Sequence, residues 1–187
     1  RDNEDVWCIH GHSVHVKCFV LVCEANNKSV YATYGTAGSA GWLYHPLWHC
    51  IDGNQSFKIN DLSIHVVVVP HDSQERVQFV VSDAQYKVGV LSDLGSLTSH
   101  VIDAYQNCHG LLLEANHDLQ LLQQGRYTRA LKRRVAGDSG HLINQQDAEL
   151  LSSLLRAGSQ HVLASHSSAQ HKNLDLVHNE FAHRTGC

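Results

Sequence analysis

Short apolar segments separated by polar turns run through the first half of the chain, and this pattern is typical of β-strands. Residues 57–59 and 62–69 flank Asn60-Asp61, which predicts a hairpin with a two-residue turn. Residues 76–81 and 86–91 flank a second polar stretch and predict a second hairpin. The middle of the chain is therefore expected to form an antiparallel sheet.

Other segments predict strands that alternate with helices. Residues 28–34 are β-branched and aromatic and predict a strand, and the glycine-rich residues 35–42 predict a turn that opens a helix. Residues 110–113 have the apolar character of a buried strand, and residues 118–125 continue in helix-forming residues. This alternation favours an α/β fold with a parallel part to its sheet.

The clearest helix prediction lies near residue 150. Four leucines form a stripe at helical spacing, Asn144 begins a capping pattern, and Gly158 follows as a stop signal. The leucines are Leu150, Leu151, Leu154 and Leu155. Residues 161–165 then predict another strand.

Composition places the chain among soluble globular proteins. Its 187 residues carry a net charge of −4 and fit one domain over residues 1–187. Apolar runs such as residues 64–69 are far shorter than the roughly 20 residues of a membrane span, so we expect a cytoplasmic protein without membrane contact. The six cysteines form no C-x-x-C pair and are interpreted as free thiols. The absence of methionine predicts that the natural start is missing or removed.

Ligand-type side chains follow four of the apolar segments. Open α/β sheets place their sites outside the carboxyl ends of strands, so these groups are expected to converge on one cleft. Imidazole and carboxylate bind zinc and related ions, which makes a metal centre the leading interpretation. The groups are His10, His12 and His15 after residues 6–9, His71 and Asp72 after 66–69, Asp93 after 88–91, and His166 after 162–164.

Most of the 16 histidines have a simpler interpretation. A single histidine is more often a surface or satisfied core residue than a ligand. The histidines at positions 45, 49, 65, 100, 109, 161, 171, 178 and 183 follow no comparable strand end and are taken as structural or surface residues.

The motifs together resemble a known family. H-x-H-x-x-H at 10–15, P-H-D at 70–72, S-D-x-G at 92–95 and A-S-H at 164–166 resemble the metallo-β-lactamase fold hydrolases. E-A-N-H-D at 114–118, L-K-R-R at 131–134 and G-H-L at 140–142 are more specific, and they resemble the bacterial exonuclease-like subgroup called YycJ or WalJ.

This resemblance implies an αββα sandwich with a dinuclear metal cleft that uses zinc or manganese to hydrolyse a phosphodiester of DNA. By position, His10, His12 and His71 would hold the first metal, Asp93 would bridge, and His15 and His166 would serve the second. His117 and His141 match positions near the cleft, where they would contact phosphate or protonate the leaving group. Glu114, Asn116 and Asp118 would support the cleft, with Glu114 or Asp118 orienting His117.

A basic cluster has two interpretations. It places five of the 14 basic residues within nine positions, and such a run is often a solvated helix face. Beside a metal cleft in an acidic chain, it is better explained by contacts to phosphates. The residues are Arg126, Arg129, Lys132, Arg133 and Arg134.

The chain departs from the family pattern in two ways. The family motif H-x-H-x-D-H has Val14 in place of the aspartate, so the second metal site loses an anionic ligand and occupancy by one metal is plausible. The family also places two or three strands before this motif, where the chain has only nine residues. We therefore expect the sandwich to lack its first strands and to expose apolar surface and an unpaired edge.

Three hypotheses follow from these observations. The first is a metal-dependent phosphodiesterase or exonuclease that acts on DNA. The second is an impaired or truncated relative that binds at most one metal ion and nucleic acid without turnover. The third and weakest is a hydrolase of the same fold that acts on a thioester or lactone.

Overall fold

The computed structural model describes residues 6–8, 23–70, 75–92, 94–114, 150, 153–154 and 161–165. Within these ranges the chain alternates between strands and short helices. In order, the elements are β1 Val6–Trp7, β2 Val30–Ala32, α1 Tyr34–Ala40, β3 Trp48–Cys50, β4 Ser56–Ile59, β5 Leu62–Val68, β6 Val77–Ser82, β7 Lys87–Leu91, α2 Ser99–Tyr105, β8 Gly110–Glu114 and β9 His161–Ser165. Residues 23–26, 150, 153 and 154 are also helical.

The strands form two sheets. The smaller sheet has the order β1-β2-β3, and its strands are parallel. The larger sheet has the order β4-β5-β6-β7-β8-β9; it is antiparallel from β4 to β7 and parallel from β7 to β9. The expected mixture of an antiparallel hairpin region and a parallel region is confirmed.

Aromatic side chains join the two sheets. Trp7 lies against Phe79 with ring centroids 5.7 Å apart, and Tyr31 stacks on Phe57 at 5.2 Å. Apolar residues such as Ile64 pack in the same layer. The sheets therefore face each other across one hydrophobic layer, in a β-sandwich.

Alternation along β5 shows how one strand serves two apolar layers. Ile64 and Val66 belong to the layer between the sheets, whereas Val67 and the following Val69 belong to the layer beneath α2. All four side chains are buried, and burial of each contributes about 1.5–3 kcal/mol of transfer free energy. A strand that is buried on both faces is typically a continuous apolar run in the sequence, as residues 66–69 are.

Helices cover the outer faces of both sheets. Ala37 of α1 packs against the smaller sheet, and Val101 and Tyr105 of α2 pack against the larger one. Leu150 and Leu154 are buried in the same layer as α2, as the leucine stripe predicted. The layers therefore follow the order helix, sheet, sheet, helix, which confirms the expected αββα sandwich.

Both predicted hairpins are present. Asn60 at the β4–β5 turn has a φ of 52°, in the left-handed region that asparagine tolerates well. At the β6–β7 turn, the Asp83 carboxylate accepts hydrogen bonds from the backbone N–H groups of Gln85 and Tyr86 at 2.7 and 2.6 Å. Local turn chemistry thus determines the register of the antiparallel strands.

The strand predicted at 28–34 is shorter than expected. It ends at Ala32, because the Thr33 hydroxyl accepts a hydrogen bond from Thr36 N and begins α1. Helix α1 ends at Gly41, which has a φ of 75°. Residues 35–42 were predicted as a turn that opens a helix, and the structure instead has residues 35–40 within helix α1 itself, which begins at Tyr34.

Helix α2 was not predicted, and tertiary packing accounts for it. The Thr98 hydroxyl caps its first turn, and the buried Tyr105 hydroxyl donates to Val90 O at 2.8 Å. Burial raises the pKa of this hydroxyl well above its usual range. Gly89 allows the close approach, since a Cβ there would lie 2.5 Å from the Tyr105 ring.

Apolar side chains are exposed on part of the larger sheet. Phe79, Val90, Leu112 and Leu163 are aligned across four strands and so share one face. Phe79 is buried, whereas Leu163 is 66% exposed.

No helix in the described part of the chain is long and apolar enough to cross a membrane.

Candidate functional site

Four strands of the larger sheet end at one edge. Strands β7, β8 and β9 are parallel neighbours, with Leu91, Leu113 and Ala164 in register. Strand β5 runs in the same direction, because it is antiparallel to β6 and β6 is antiparallel to β7. The carboxyl ends of these four strands therefore lie side by side, and we call this region the carboxyl edge.

The smaller sheet ends in the same region. The Thr33 hydroxyl, one residue after β2, donates to Glu75 O at 3.1 Å, and the Gly35 N–H donates to Glu75 Oε2. Glu75 lies two residues before β6 and so belongs to the carboxyl edge. Strand β1 is parallel to β2, so its carboxyl end at Trp7 also faces this region.

Five strand ends thus converge, and each leads into a segment that carries predicted site residues. Strand β1 leads toward residues 10–15, β5 toward His71, β7 toward Asp93, and β9 directly to His166. Glu114 is the last residue of β8, so its backbone lies at the carboxyl edge. The convergence of strand ends expected from the sequence is present in the backbone.

The predicted side chains themselves lie outside the described residues, and their arrangement stays a prediction. Among the residues that the structure describes, no group of three or more histidine, cysteine, aspartate or glutamate side chains is placed to hold a metal ion. The predicted site residues outside the described ranges are His10, His12, His15, His71, Asp93, Asn116, His117, Asp118, Arg126, Arg129, Lys132, Arg133, Arg134, His141 and His166.

The segment that carries His71 is anchored at both ends. Pro70 O accepts a hydrogen bond from Gly95 N at 2.9 Å, which joins the end of β5 to the segment that follows Asp93. At the other end, Glu75 is bonded to Thr33 and Gly35 of the smaller sheet. The two described residues that flank positions 71–74, Pro70 and Glu75, are therefore each hydrogen-bonded to another segment at the carboxyl edge.

Glu75 is a residue of the carboxyl edge that the sequence did not reveal. It has a φ of 48°, in the left-handed region, and its carboxylate lies at the first turn of α1. Gly35 permits this approach, because a Cβ there would lie 3.0 Å from Glu75 Oε2. These contacts join residues 42 and 40 positions apart, and no local pattern indicates them.

The thiol of Cys50, which interacts with the Glu75 carboxylate, has a raised pKa. Burial is the largest cause, and the carboxylates of Asp52 and Glu75 add to it by disfavouring the thiolate. The two carboxylates therefore favour the protonated form of the Cys50 thiol, whose side chain is otherwise exposed. Cys23, Cys50 and Cys108 are free thiols.

Histidines outside the predicted constellation make ordinary structural contacts, as expected. His45 Nε2 lies 3.0 Å from a Glu24 carboxylate oxygen, and His100 Nε2 lies 2.9 Å from Asn54 Oδ1. His65 Nδ1 lies 2.9 Å from the Ser56 hydroxyl. Burial lowers the pKa of His65, and His100 and Lys87 lower it further.

The lowered pKa of His65 predicts that stability decreases in mild acid. The unfolded chain binds this proton at the ordinary pKa of 6.5, whereas the folded chain binds it only at lower pH. The contribution of His65 to stability should therefore be fully present above pH 6.5, and it should decline as the pH falls from there toward the folded pKa. The variant His65→Gln lacks this contribution. The difference in free energy of unfolding between the wild type and the variant, measured by urea unfolding, should therefore shift against the wild type as the pH is lowered from 7 to 5.

The control for this experiment is His161→Gln, since His161 is exposed at the start of β9. The free energy of unfolding of this variant should follow that of the wild type across the same pH range. Parallel curves for the wild type and His65→Gln would contradict the prediction.

Curated relatives match almost the whole chain. The sequence is 23% identical over 185 residues to exodeoxyribonuclease YycJ of Bacillus anthracis, covering 95% of this chain and 69% of the relative. It is 25% identical over 186 residues to exodeoxyribonuclease WalJ of Streptococcus pneumoniae serotype 2 strain D39, covering 95% and 68%. No protein-family model matches the chain.

The solved structures add evidence for the fold. The metallo-β-lactamase fold protein YhfI from Bacillus subtilis superimposes with a TM-score of 0.71 at 14% identity, covering 96% of this chain and 71% of that one. At this identity the similarity concerns the fold alone, and it agrees with the helix–sheet–sheet–helix layers. The chain therefore has the metallo-β-lactamase fold, and its sequence is similar to the exodeoxyribonucleases YycJ and WalJ.

Proposed function

We propose that this chain is a metal-dependent hydrolase that cleaves phosphodiester bonds of DNA in the manner of an exonuclease. The observation that carries the proposal is the convergence of strand ends from both sheets at the carboxyl edge. Each of β5, β7 and β9 is followed within three residues by a histidine or aspartate of the predicted site. In this proposal residues 1–187 form one domain.

The donor set fits a divalent metal ion. Neutral imidazole and carboxylate suit zinc and manganese, and no cysteine is among the proposed ligands. We assign His10, His12 and His71 to the first ion, Asp93 as the bridging ligand, and His15 and His166 to the second ion. When bound, such ions supply Lewis acidity and lower the pKa of water.

The remaining residues of the site have supporting roles in the proposal. His117 and His141 contact the phosphate or deliver a proton to the leaving oxygen. Glu114, Asn116 and Asp118 orient the histidines around them, and Glu114 ends the strand beside β7.

Two observations favour DNA as the substrate. Both curated relatives are named exodeoxyribonucleases. The chain also concentrates five basic residues in a region of nine, although its net charge is −4. Basic side chains that neutralise phosphates release counterions and so increase affinity without sequence preference. The basic residues are Arg126, Arg129, Lys132, Arg133 and Arg134.

We also propose a cytoplasmic location. Among the described cysteines, Cys23, Cys50 and Cys108 are free thiols, which is the usual state of cysteine in a reducing compartment.

The proposal is tested by elemental analysis of the purified chain together with a nuclease assay. We expect about one to two zinc or manganese ions per chain, and metal-dependent release of nucleotides from end-labelled DNA. A chelator should abolish the release, and added manganese should restore it. A chain that contains no metal and releases no nucleotides in manganese would contradict the proposal.

A second candidate is a relative that binds one metal ion and DNA without turnover. Val14 favours it, because the second site lacks the aspartate of the family motif. Both candidates should bind DNA with an affinity that falls as salt rises. Only the enzyme should release nucleotides, so the nuclease assay in manganese separates them.

A further inference from the structure

A buried glutamine holds the backbone beside the predicted bridging ligand. Gln78 lies on β6 between the apolar residues Val77 and Phe79, and its side chain is fully buried. Its Oε1 accepts a hydrogen bond from Ser92 N at 3.2 Å, and its Nε2 donates to Ser92 O. One side-chain amide therefore binds both backbone groups of the residue that precedes Asp93.

The contact between Gln78 and Ser92 joins β6 to the chain after β7, beyond the point where the backbone pairing of the two strands ends. The β6–β7 register runs from Ser82↔Lys87 to Phe79↔Val90, and Ser92 lies beyond the end of β7. A buried backbone group without a partner would be costly, so Ser92 needs another donor and acceptor. An amide side chain supplies both, which a carboxylate or a hydroxyl of similar reach does not do as well.

The residues around Asp93 are fixed on both sides. Leu91 and Leu94 are each 2% exposed, and Gly95 N donates to Pro70 O. Hydrogen bonds therefore hold the main chain at Ser92, one residue before Asp93, and at Gly95, two residues after it.

We propose that Gln78 is a positioning residue for Asp93, and that it acts by fixing the main chain of Ser92. This inference rests on the proposed function, in which Asp93 bridges the metal ions. A bridging carboxylate must be held closely in place, because its two oxygens serve two ions at once. Gln78 touches neither metal nor substrate in this proposal, and it acts through Ser92 alone.

The test compares zinc affinity in the wild type, Gln78→Met and Val80→Ala, measured by competition with a chromophoric chelator. Methionine keeps the length and apolar stem of glutamine but cannot bind Ser92, so we expect about a tenfold loss of zinc affinity. Val80 is buried on the same strand and face, so Val80→Ala should lower stability with zinc affinity within about twofold of the wild type. Equal zinc affinity in Gln78→Met and the wild type would overturn the inference.

Gln78→Glu keeps the test decisive if the methionine variant fails to fold. Glutamate retains an acceptor for Ser92 N but loses the Nε2 donor. We expect a smaller loss of zinc affinity, accompanied by faster hydrogen exchange at the amides of Ser92 and Leu94 in the folded protein. Unchanged affinity and exchange would overturn the inference.

Failure of the proposed function gives a different result. The metal centre itself is wrong if the wild type binds no zinc, or if His71→Ala binds zinc as well as the wild type does. Either result overturns the role of Gln78 as well. If the wild type binds zinc that His71→Ala loses and both Gln78 variants bind it equally well, only the role of Gln78 is overturned.

Discussion

The variant His71→Ala should lose most of its bound metal and its nuclease activity. His71 follows Pro70 in the sequence, and Pro70 lies at the carboxyl edge. In the proposed function, His71 is one of three residues assigned to the first metal ion. Loss of a residue that merely supports a ligand costs about 10–100-fold in affinity or activity, so removal of a ligand should cost at least about 100-fold. Metal content by elemental analysis and nucleotide release from labelled DNA measure the two effects.

The matched control is His161→Ala. His161 begins β9, whereas the predicted ligand His166 follows the end of the same strand. The two ends lie at opposite edges of the sheet, so His161→Ala should retain its metal and its activity. If His71→Ala kept both its metal and its activity, the proposed constellation would be wrong.

The strands were predictable where local sequence determines them. The β4–β5 hairpin combines a two-residue turn at Asn60-Asp61 with apolar residues on both sides, and the structure places both strands within one or two residues of expectation. The β6–β7 turn likewise depends on Asp83, which binds amides two and three residues away. Contacts between near neighbours leave a pattern that can be recognised in the sequence.

Helix α2 shows where local information was insufficient. Its seven residues include the β-branched Val101 and Ile102, which have a weak preference for helix. The helix forms because Thr98 caps it and because Val101 and Tyr105 are buried against β7 and β8. Strand β3 at Trp48–Cys50 is similar, since three residues are too few to show a period.

The sequence predicted the candidate ligands of the site, but it did not predict the contacts that hold the backbone around them. We call these contacts, made by Gln78 and Glu75, the framework of the site. Strand ends followed by His71, Asp93 and His166 can be read directly from the sequence. The contacts of Gln78 and Glu75 join residues 14 and 40 or more positions apart, so they depend on topology. One feature of the sequence does point to Gln78. It is a single amide side chain within the apolar run 77–81, and such a side chain needs a hydrogen-bond partner when it is buried.

The framework also explains why two sheets are needed for one site. Residues 10–15 follow the smaller sheet, whereas His71, Asp93 and His166 follow the larger one. The described bonds between the sheets at this edge run from Thr33 and Gly35 to Glu75, beside the His71 segment. Ligands from both sheets can share a metal ion only if this junction holds its geometry.

The variant Val14→Asp should gain metal and activity. The family motif has an aspartate at this position, and valine has no atom that binds a metal ion. We expect bound metal to rise from about one to about two ions per chain, and nucleotide release to rise at least about tenfold, because a second ion stabilises the leaving oxygen. Elemental analysis and the nuclease assay in manganese are the measurements.

Val14→Asn separates ligation from polarity in this experiment. Asparagine has nearly the shape of aspartate but no charge, so it should bind the second ion much more weakly. A gain confined to aspartate would show that the chain keeps an intact second site apart from one carboxylate. If the wild type bound about one ion and Val14→Asp gained neither metal nor activity, His15 and His166 would not form a metal site, and the account of Val14 as the defect would fail. The candidate that binds one ion without turnover would then be favoured over the enzyme.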